Sequence, residues 1–355
     1  MLSIEADVLQ ELIETINAMP HMHVDLKLES PGPGHDAQID VVIQGKHLTL
    51  MVEVKRQIYP RDVLQYLYKS QQMAERARHS FGDSVILLLA SHSISPGARE
   101  LLRERGHAYF AGGGSLYIES NGLLLDRERP PAPSEERVMR TLFTGTRARV
   151  LLTMLDRHKD WTNVKRLSLD AKVSAATASE VLQALERNDW VATEGAGPSK
   201  QRRLTRPGDV LDAWAKFTQT RKPPRQRRYF VPNALSDAAS RIPLMLEKRH
   251  VEYALTGEAA AQHFAPWLTH ISTLRLRMVY TDRAEAALSE LDAKLTSEGA
   301  NVSVIEVSSP KDLAFSRLEG NIRYAHPIQI YLDLLRMEGR ARDAARNLRE
   351  ATIGF

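Results

Sequence analysis

Two proline-rich, charged stretches constrain the possible domain organisation of this chain most, because they divide its 355 residues into three segments. The first, RERPPAPSEER, has no large apolar residue and is typical of a linker. The second, RKPPRQRRYFVP, carries two adjacent prolines that would interrupt any helix arriving from VLDAWAKF. The sequence therefore predicts domains at residues 1–126, 136–220 and 233–355, with linkers at 127–135 and 221–232.

The composition excludes several classes of protein. The chain has no cysteine, so disulfides, thiolate zinc sites and cysteine nucleophiles are ruled out. No apolar run approaches the roughly 18 residues that a membrane-spanning helix needs, and the start MLSIEADVLQELIETI is too acidic for a signal peptide. We therefore expect a cytoplasmic protein with no membrane partner. Its net charge is +4, and the basic residues are concentrated in the middle of the chain.

The first segment alternates between helix and strand patterns. EADVLQELIETI places apolar residues on one helix face, and HVDLKL alternates like a strand. IDVVI and LTLMVEV, separated by the short turn QGKH, predict an antiparallel hairpin. A helix from about Arg61 to Arg78, the strand SVILLLAS, a helix from Pro96 to Gly106 and two short strands follow. This order predicts an α/β domain.

The hairpin carries candidate catalytic residues. Glu53 and Lys55 are two apart and project from one face of a strand, while Asp40 lies in the strand before it. Two carboxylates on neighbouring strands can bind one Mg²⁺, and a lysine beside them can orient or help deprotonate an attacking water and stabilise negative charge. The alternative is an exposed strand face with a mildly favourable Glu–Lys pair. The apolar residues that flank this pair favour the functional interpretation.

Asp40 and the tripeptide Glu53-Val54-Lys55, in this element order, resemble the PD-(D/E)XK nuclease superfamily. The resemblance implies a restriction-endonuclease-like fold, with Asp40 and Glu53 as ligands of Mg²⁺ or Mn²⁺ and Lys55 as the catalytic lysine. Ile39 precedes Asp40, where many members have proline. The accessory candidates that the resemblance implies are Glu11, Glu14, Gln65 and Gln71.

The second segment has the pattern of a DNA-binding domain. One helix is followed by NVKRLSLDAKV and then by SAATASEVLQALERNDW, and WVATEGAGPSKQRRLT predicts a strand, a glycine-rich turn and a returning strand. The segment resembles winged helix-turn-helix domains of bacterial transcriptional regulators, which implies double-stranded DNA as partner. A winged helix used for protein contact is the alternative. The residues predicted to contact DNA are Ser174, Ala175, Thr177 and Ser179 on the helix and Lys200, Arg202 and Arg203 on the wing.

The third segment alternates strands and helices, which predicts another α/β domain. YALTGEAAA and HPIQIYLDLLRMEGRARDAARNLRE resemble the C-terminal halves of AbiE-type antitoxins of type IV toxin–antitoxin systems. That resemblance implies a degenerate nucleotidyltransferase-like fold and a cognate toxin as partner. The Gly-Ser and paired-aspartate pattern of active nucleotidyltransferases is absent, so we do not expect nucleotidyl transfer.

Two functions remain open from the sequence. The first is a DNA-binding regulator of the AbiE-type antitoxin kind, whose C-terminal domain forms a homodimer or meets a partner. The second is a Mg²⁺-dependent DNA endonuclease, related to defence or mobile elements and targeted by the winged helix. DNA binding is common to both.

Overall fold

The computed structural model describes residues 4–20, 22–25, 35–43, 45–81, 84–120, 122–129, 141–232, 238–267 and 271–355. The chain is of mixed α/β structure and forms two compact units, Met1–Arg206 and Pro207–Phe355. No helix in the described ranges is long and apolar enough to cross a membrane.

In the described residues, the first part of unit one is a seven-stranded sheet with three helices. Its helices are α1 (Ile4–Asn17), α2 (Pro60–Phe81) and α3 (Pro96–Glu104). Its strands are β1 (Met22–Asp25), β2 (Ala37–Ile43), β3 (Lys46–Ile58), β4 (Val85–Ile94), β5 (Ala108–Ala111), β6 (Ser115–Ser120) and β7 (Leu123–Arg127). The spatial order of the strands follows the chain, with β3, β4 and β5 parallel and the remaining pairs antiparallel. The predicted hairpin is confirmed as β2–β3.

The alternation of β3 decides what its two faces contact. Leu50, Val52 and Val54 are buried in the cluster that includes Val8 and Leu12 of α1. Because successive side chains point to opposite faces, Glu53 and Lys55 lie on the other face. That face is packed by α2 and α3, since the register partner of Glu53, Leu89, belongs to their cluster. The charged pair and α1 are therefore separated by the sheet.

The second part of unit one is a small helical bundle with a two-stranded hairpin. It contains α4 (Gly145–Asp156), α5 (Val164–Asp170), α6 (Ala175–Arg187), β8 (Val191–Glu194) and β9 (Gln201–Leu204). Asn163 and Ser174 accept backbone hydrogen bonds at the starts of α5 and α6, as N-cap residues do. A bridge between Thr162 and Arg202 adds a further pairing to the β8–β9 hairpin.

Unit two is built on a second seven-stranded sheet. Its helices are α7 (Pro207–Thr220), α8 (Ala238–Lys248), α9 (Gly257–Phe264), α10 (Asp282–Ser289), α11 (Pro327–Leu334) and α12 (Ala341–Leu348). Its strands are β10 (Gln226–Phe230), β11 (Tyr253–Thr256), β12 (Leu274–Met278), β13 (Lys294–Leu295), β14 (Val302–Glu306), β15 (Arg317–Glu319) and β16 (Ile322–Tyr324). The strand order is β13-β10-β14-β12-β11-β16-β15.

The observed boundaries differ from the predicted ones in the basic stretch. Residues 207–220, expected to belong with the winged helix, form α7 of unit two. Residues 221–232, expected to be a linker, contain β10, which pairs with β13 and β14. Tertiary contacts explain this strand, because Tyr229 is buried and Arg227 is neutralised by Glu306 at 2.5 Å. Most of the predicted linker 127–135 lies outside the described residues.

Candidate functional site

The N-terminal turn of α6 is an exposed surface of small side chains. The hydroxyl of Ser174 accepts a hydrogen bond from the backbone N–H of Thr177 at 3.1 Å and lies 2.9 Å from the Thr177 hydroxyl. Ser174 and Ala175 are exposed, while Thr177 and Ser179 are partly exposed. A helix that presents small polar residues at its N-terminus can approach the base edges of a major groove closely.

Two of the three predicted wing cations are directed toward Glu186 instead of the solvent. Lys200 Nζ lies 2.8 Å from Glu186 Oε1, Arg202 Nε lies 3.2 Å from the same atom, and the Thr193 hydroxyl donates to it at 2.9 Å. The side chains of Arg202 and Glu186 are 8% and 7% exposed. Burial opposes ionisation of Glu186, but the hydrogen bonds from Lys200, Arg202 and Thr193 outweigh it and lower its pKa. Arg202 thus holds the hairpin to α6 and is not free to contact a phosphate.

Other cations remain available at this surface. Arg203 is partly buried, with its guanidinium 5.0 Å from the centre of the Trp161 ring, a cation–π contact that leaves its charge unneutralised. Lys165 on α5 and Lys172 before α6 are exposed, and within the described ranges no ion pair engages either ammonium group. Neither lysine is among the DNA contacts that the sequence pattern predicts. Lys172 has φ of 51° in the turn between the two helices, a position that the predicted helix-turn-helix could have indicated.

In the β2–β3 hairpin, the structure does not bring Asp40 and Glu53 together. Asp40 lies opposite Thr49, whose hydroxyl donates to Asp40 Oδ1 at 2.7 Å. Glu53 is four residues further along β3, which corresponds to about 13 Å at the usual strand rise. One Mg²⁺ ion cannot bridge two carboxylates at that separation.

Asp36 instead lies beside Glu53. Its backbone N–H donates to the carbonyl of Val52 at 2.8 Å, and its Oδ2 accepts from the N–H of Val54 at 2.7 Å. Asp36 immediately precedes β2, and its contacts with Val52 and Val54 place it next to Glu53 in the chain direction of β3. The sequence pattern did not indicate Asp36, because this residue precedes the apolar run that marks β2.

Lys55 completes this group. Its Nζ lies 2.7 Å from Glu53 Oε1. The hydrogen bond with Glu53 raises the pKa of Lys55, burial opposes it, and the negative charges of Glu53 and Asp36 add to the rise. Lys55 is therefore a cation at neutral pH, which suits stabilisation of negative charge better than proton abstraction.

Two neighbouring carboxylates, those of Asp36 and Glu53, are the metal-binding groups that this hairpin offers. In the part of the chain that the structure describes, no group of three or more His, Asp or Glu side chains is close enough to hold a metal ion. Asp36 and Glu53 form a pair of carboxylates, and Mg²⁺ is commonly held by one or two carboxylates while it keeps several waters. Their chemistry fits such a cation.

Two of the four accessory candidates, Glu11 and Glu14, lie away from this pair. Glu11 accepts a hydrogen bond from the N–H of Gly113 at 2.7 Å, and Glu14 accepts one from Gln10 at 3.0 Å. Both belong to α1, on the sheet face opposite Glu53. Gln65 is exposed on α2, and the side chain of Gln71 lies outside the described residues.

Comparison with known proteins bears on the C-terminal part of the chain. Residues 203–354 match the model of a family described as "Transcriptional regulator, AbiEi antitoxin, Type IV TA system". The match supports the AbiE-type resemblance. It begins at the end of the β8–β9 hairpin and extends through unit two, so it does not reach β2–β3 or α6. None of the curated proteins compared with the chain matches it.

Proposed function

We propose that this protein is a DNA-binding transcriptional regulator of the AbiE-type antitoxin kind. The observation that carries the proposal is the exposed N-terminal turn of α6, with Ser174 and Ala175 at the surface and Lys172 unpaired beside it among the described residues. The family match over residues 203–354 supports a regulatory role within a toxin–antitoxin system. In this role α6 would enter the major groove, while Lys165, Lys172 and Arg203 would contact phosphates.

The proposal includes partners beyond DNA. A cognate toxin follows from the description of the matched family as antitoxins of a type IV system. A homodimer would bind a palindromic site upstream of its own gene, because two-fold symmetric proteins recognise two-fold symmetric operators. Its place of action would be the cytoplasm, where that DNA is found.

DNA binding is tested by fluorescence anisotropy on duplex DNA from the region upstream of the gene, titrated with salt in the presence of EDTA. Lys172→Gln should weaken binding and reduce the slope of log affinity against log salt by about 0.9, the value for one lost phosphate contact. Lys248→Gln, at an exposed lysine that ends α8, is the matched control and should change neither. Failure of the wild-type protein to bind any upstream duplex at low salt would reject the proposal.

A second candidate function is a Mg²⁺-dependent DNA endonuclease targeted by the same winged helix. The juxtaposition of Asp36, Glu53 and Lys55 favours it. Asp36 and Glu53 would hold the metal ion, which when bound lowers the pKa of an attacking water and polarises the phosphate. The ammonium of Lys55 would stabilise the negative charge that develops on the phosphate oxygens.

Cleavage is tested on supercoiled and linear DNA with Mg²⁺, Mn²⁺ or EDTA, scored together with gel shift. Lys55→Ala and Asp36→Asn should abolish metal-dependent cutting without loss of DNA binding. Asp40→Asn is the control, because the register places Asp40 beside Thr49 and away from Glu53. Cutting that needs Asp40 but not Asp36 would contradict this site. A gel shift without cutting in any metal would reject the endonuclease function and leave DNA-binding regulation as the proposed function.

A further inference from the structure

One face of the unit-two sheet carries a row of polar and basic residues across four strands. Arg228 of β10 pairs with Ser303 of β14, Ser303 pairs with Arg275 of β12, and Arg275 pairs with Thr256 of β11. Residues paired in register point to the same face of a sheet. Arg277, two residues after Arg275, lies on that face too.

The only carboxylate that approaches Arg277 closely in the described ranges, Asp333 of α11, is fully engaged. Its Oδ2 accepts from the Thr256 hydroxyl at 2.6 Å. Its Oδ1 accepts from Arg277 Nη1 at 2.7 Å and from Gln329 Nε2 at 3.0 Å. Arg277 Nε remains buried without a hydrogen-bond partner in the described structure. Asp333 therefore has little capacity left for a second guanidinium group.

Further arginines of unit two act on this face, and among the described residues fewer carboxylates than arginines are paired with them. Arg275 reaches Glu258 only at 3.4 Å, a long contact for an ion pair of partly buried groups. Arg336, just beyond α11, and Arg228 have no ion-pair partner among the described residues. Arg221 lies near enough for its charge to act on Arg336.

The pKa values of two of these arginines are lowered, first by burial and then by nearby positive charge. Burial lowers the pKa of Arg275, and the charge of Arg228 adds to that effect against the attraction of Glu258. Burial also lowers the pKa of Arg336, with Arg277 and Arg221 acting in the same direction against Asp333. An excess of like charge destabilises the folded state through repulsion, and a bound anion would reduce that repulsion.

We propose that Arg221, Arg228, Arg275, Arg277 and Arg336, hereafter the arginine cluster, bind a phosphate group. Guanidinium groups present planar forks of N–H donors that match phosphate oxygens, which explains a cluster of arginine without lysine. The hydroxyl of Ser303, between Arg228 and Arg275, adds a polar group to the same face. The phosphate would come from a free small molecule or from a nucleic-acid backbone. The proposal uses none of the residues that we propose to contact DNA on and around α6.

The test is isothermal titration calorimetry of the full-length protein with inorganic phosphate, AMP and a short single-stranded oligonucleotide. Arg336→Gln and Arg228→Gln should each weaken phosphate binding by about tenfold or more, since a hydrogen bond to a charged group is worth roughly 1.5–3 kcal/mol. Arg346→Gln is the matched control, because that arginine is exposed on α12 and pairs with Asp343 on the same helix. It should bind phosphate as the wild type does.

Thermal unfolding gives a second readout that a purely structural role of the cluster would not produce. Without phosphate, Arg336→Gln should unfold at a higher temperature than the wild type, because it relieves repulsion. With phosphate the order should reverse. Tighter binding of AMP would identify a small-molecule source, and tighter, salt-dependent binding of the oligonucleotide would identify a backbone. Absence of saturable binding by all three probes, or equal affinity in wild type, Arg336→Gln and Arg228→Gln, would overturn the proposal.

Discussion

Glu186→Gln tests how the β8–β9 hairpin is held to α6. The substitution keeps the shape of the side chain and removes the charge that faces Lys200 and Arg202. With Arg202 only 8% exposed, its guanidinium would then stay buried without a counter-charge. Removing one partner of a buried ion pair costs about 3–5 kcal/mol. Because Lys200 keeps 25% of its side chain in solvent, we expect the lower end, about 3 kcal/mol.

Glu180→Gln is the matched control on the same helix. Glu180 pairs with Arg147 at 2.6 Å, but the two side chains are 55% and 38% exposed. Solvent screening limits such a pair to less than about 1 kcal/mol. Chemical denaturation gives the free energy of unfolding, and hydrogen exchange of residues 191–204 locates the loss in the hairpin. Equal losses in both variants would refute the argument that burial makes the Glu186 pairs strong.

The pH dependence adds a signed test of the same interaction. The folded-state pKa of Glu186 lies below its ordinary value of 4.5. Its contribution to stability is therefore complete above pH 4.5 and is lost as pH falls through the folded pKa. The stability difference between wild type and Glu186→Gln should shrink on acidification below about pH 4.5. A difference that stays constant with pH would contradict the lowered pKa.

Three further outcomes follow from unit one. Arg202→Gln should destabilise the hairpin while leaving the salt slope of DNA binding unchanged in anisotropy titrations, because its charge faces Glu186. Gly112→Ala should destabilise by about 1–3 kcal/mol in chemical denaturation, since a Cβ there would lie 2.5 Å from the backbone oxygen of His92. Burial raises the pKa of Asp189, so the stability that this residue contributes is lost as pH rises through its folded-state pKa. In the same assay, the free energy of unfolding of Asp189→Asn should therefore increase relative to that of the wild type as pH rises.

Local patterns predicted much of unit one. The apolar runs on either side of a short turn gave the β2–β3 hairpin, and Pro96 and Gly106 marked the limits of the third helix with an error of only two residues. Ser174 was identified as the residue that opens α6 and is its N-cap. These features depend on residues that are near one another in the sequence, so periodicity and capping rules can predict them.

The features that the sequence did not predict depend on distant partners. Composition predicts a linker at the basic stretch that contains Arg227, because the sequence does not reveal that Glu306 neutralises this arginine. The wing pattern predicts that Arg202 contacts a phosphate, because no local residue shows that it pairs with Glu186. The residue types also do not show that Asp40 lies opposite Thr49, four residues from Glu53, or that Asp36 accepts a hydrogen bond from the N–H of Val54.

Contacts within unit one connect its two candidate functional regions. Asp189, two residues after α6, accepts a hydrogen bond from the N–H of Gly97 in the first turn of α3 at 2.9 Å. Tyr59, directly after β3, has its pKa raised by burial and then by the charge of Glu186. The C-terminal end of α6 therefore lies near the end of β3 that follows Lys55. These contacts tie the part of the unit that carries Glu53 and Lys55 to the C-terminal end of α6, the end opposite the turn that we propose to bind DNA. A duplex bound at the N-terminal turn would therefore leave these contacts in place.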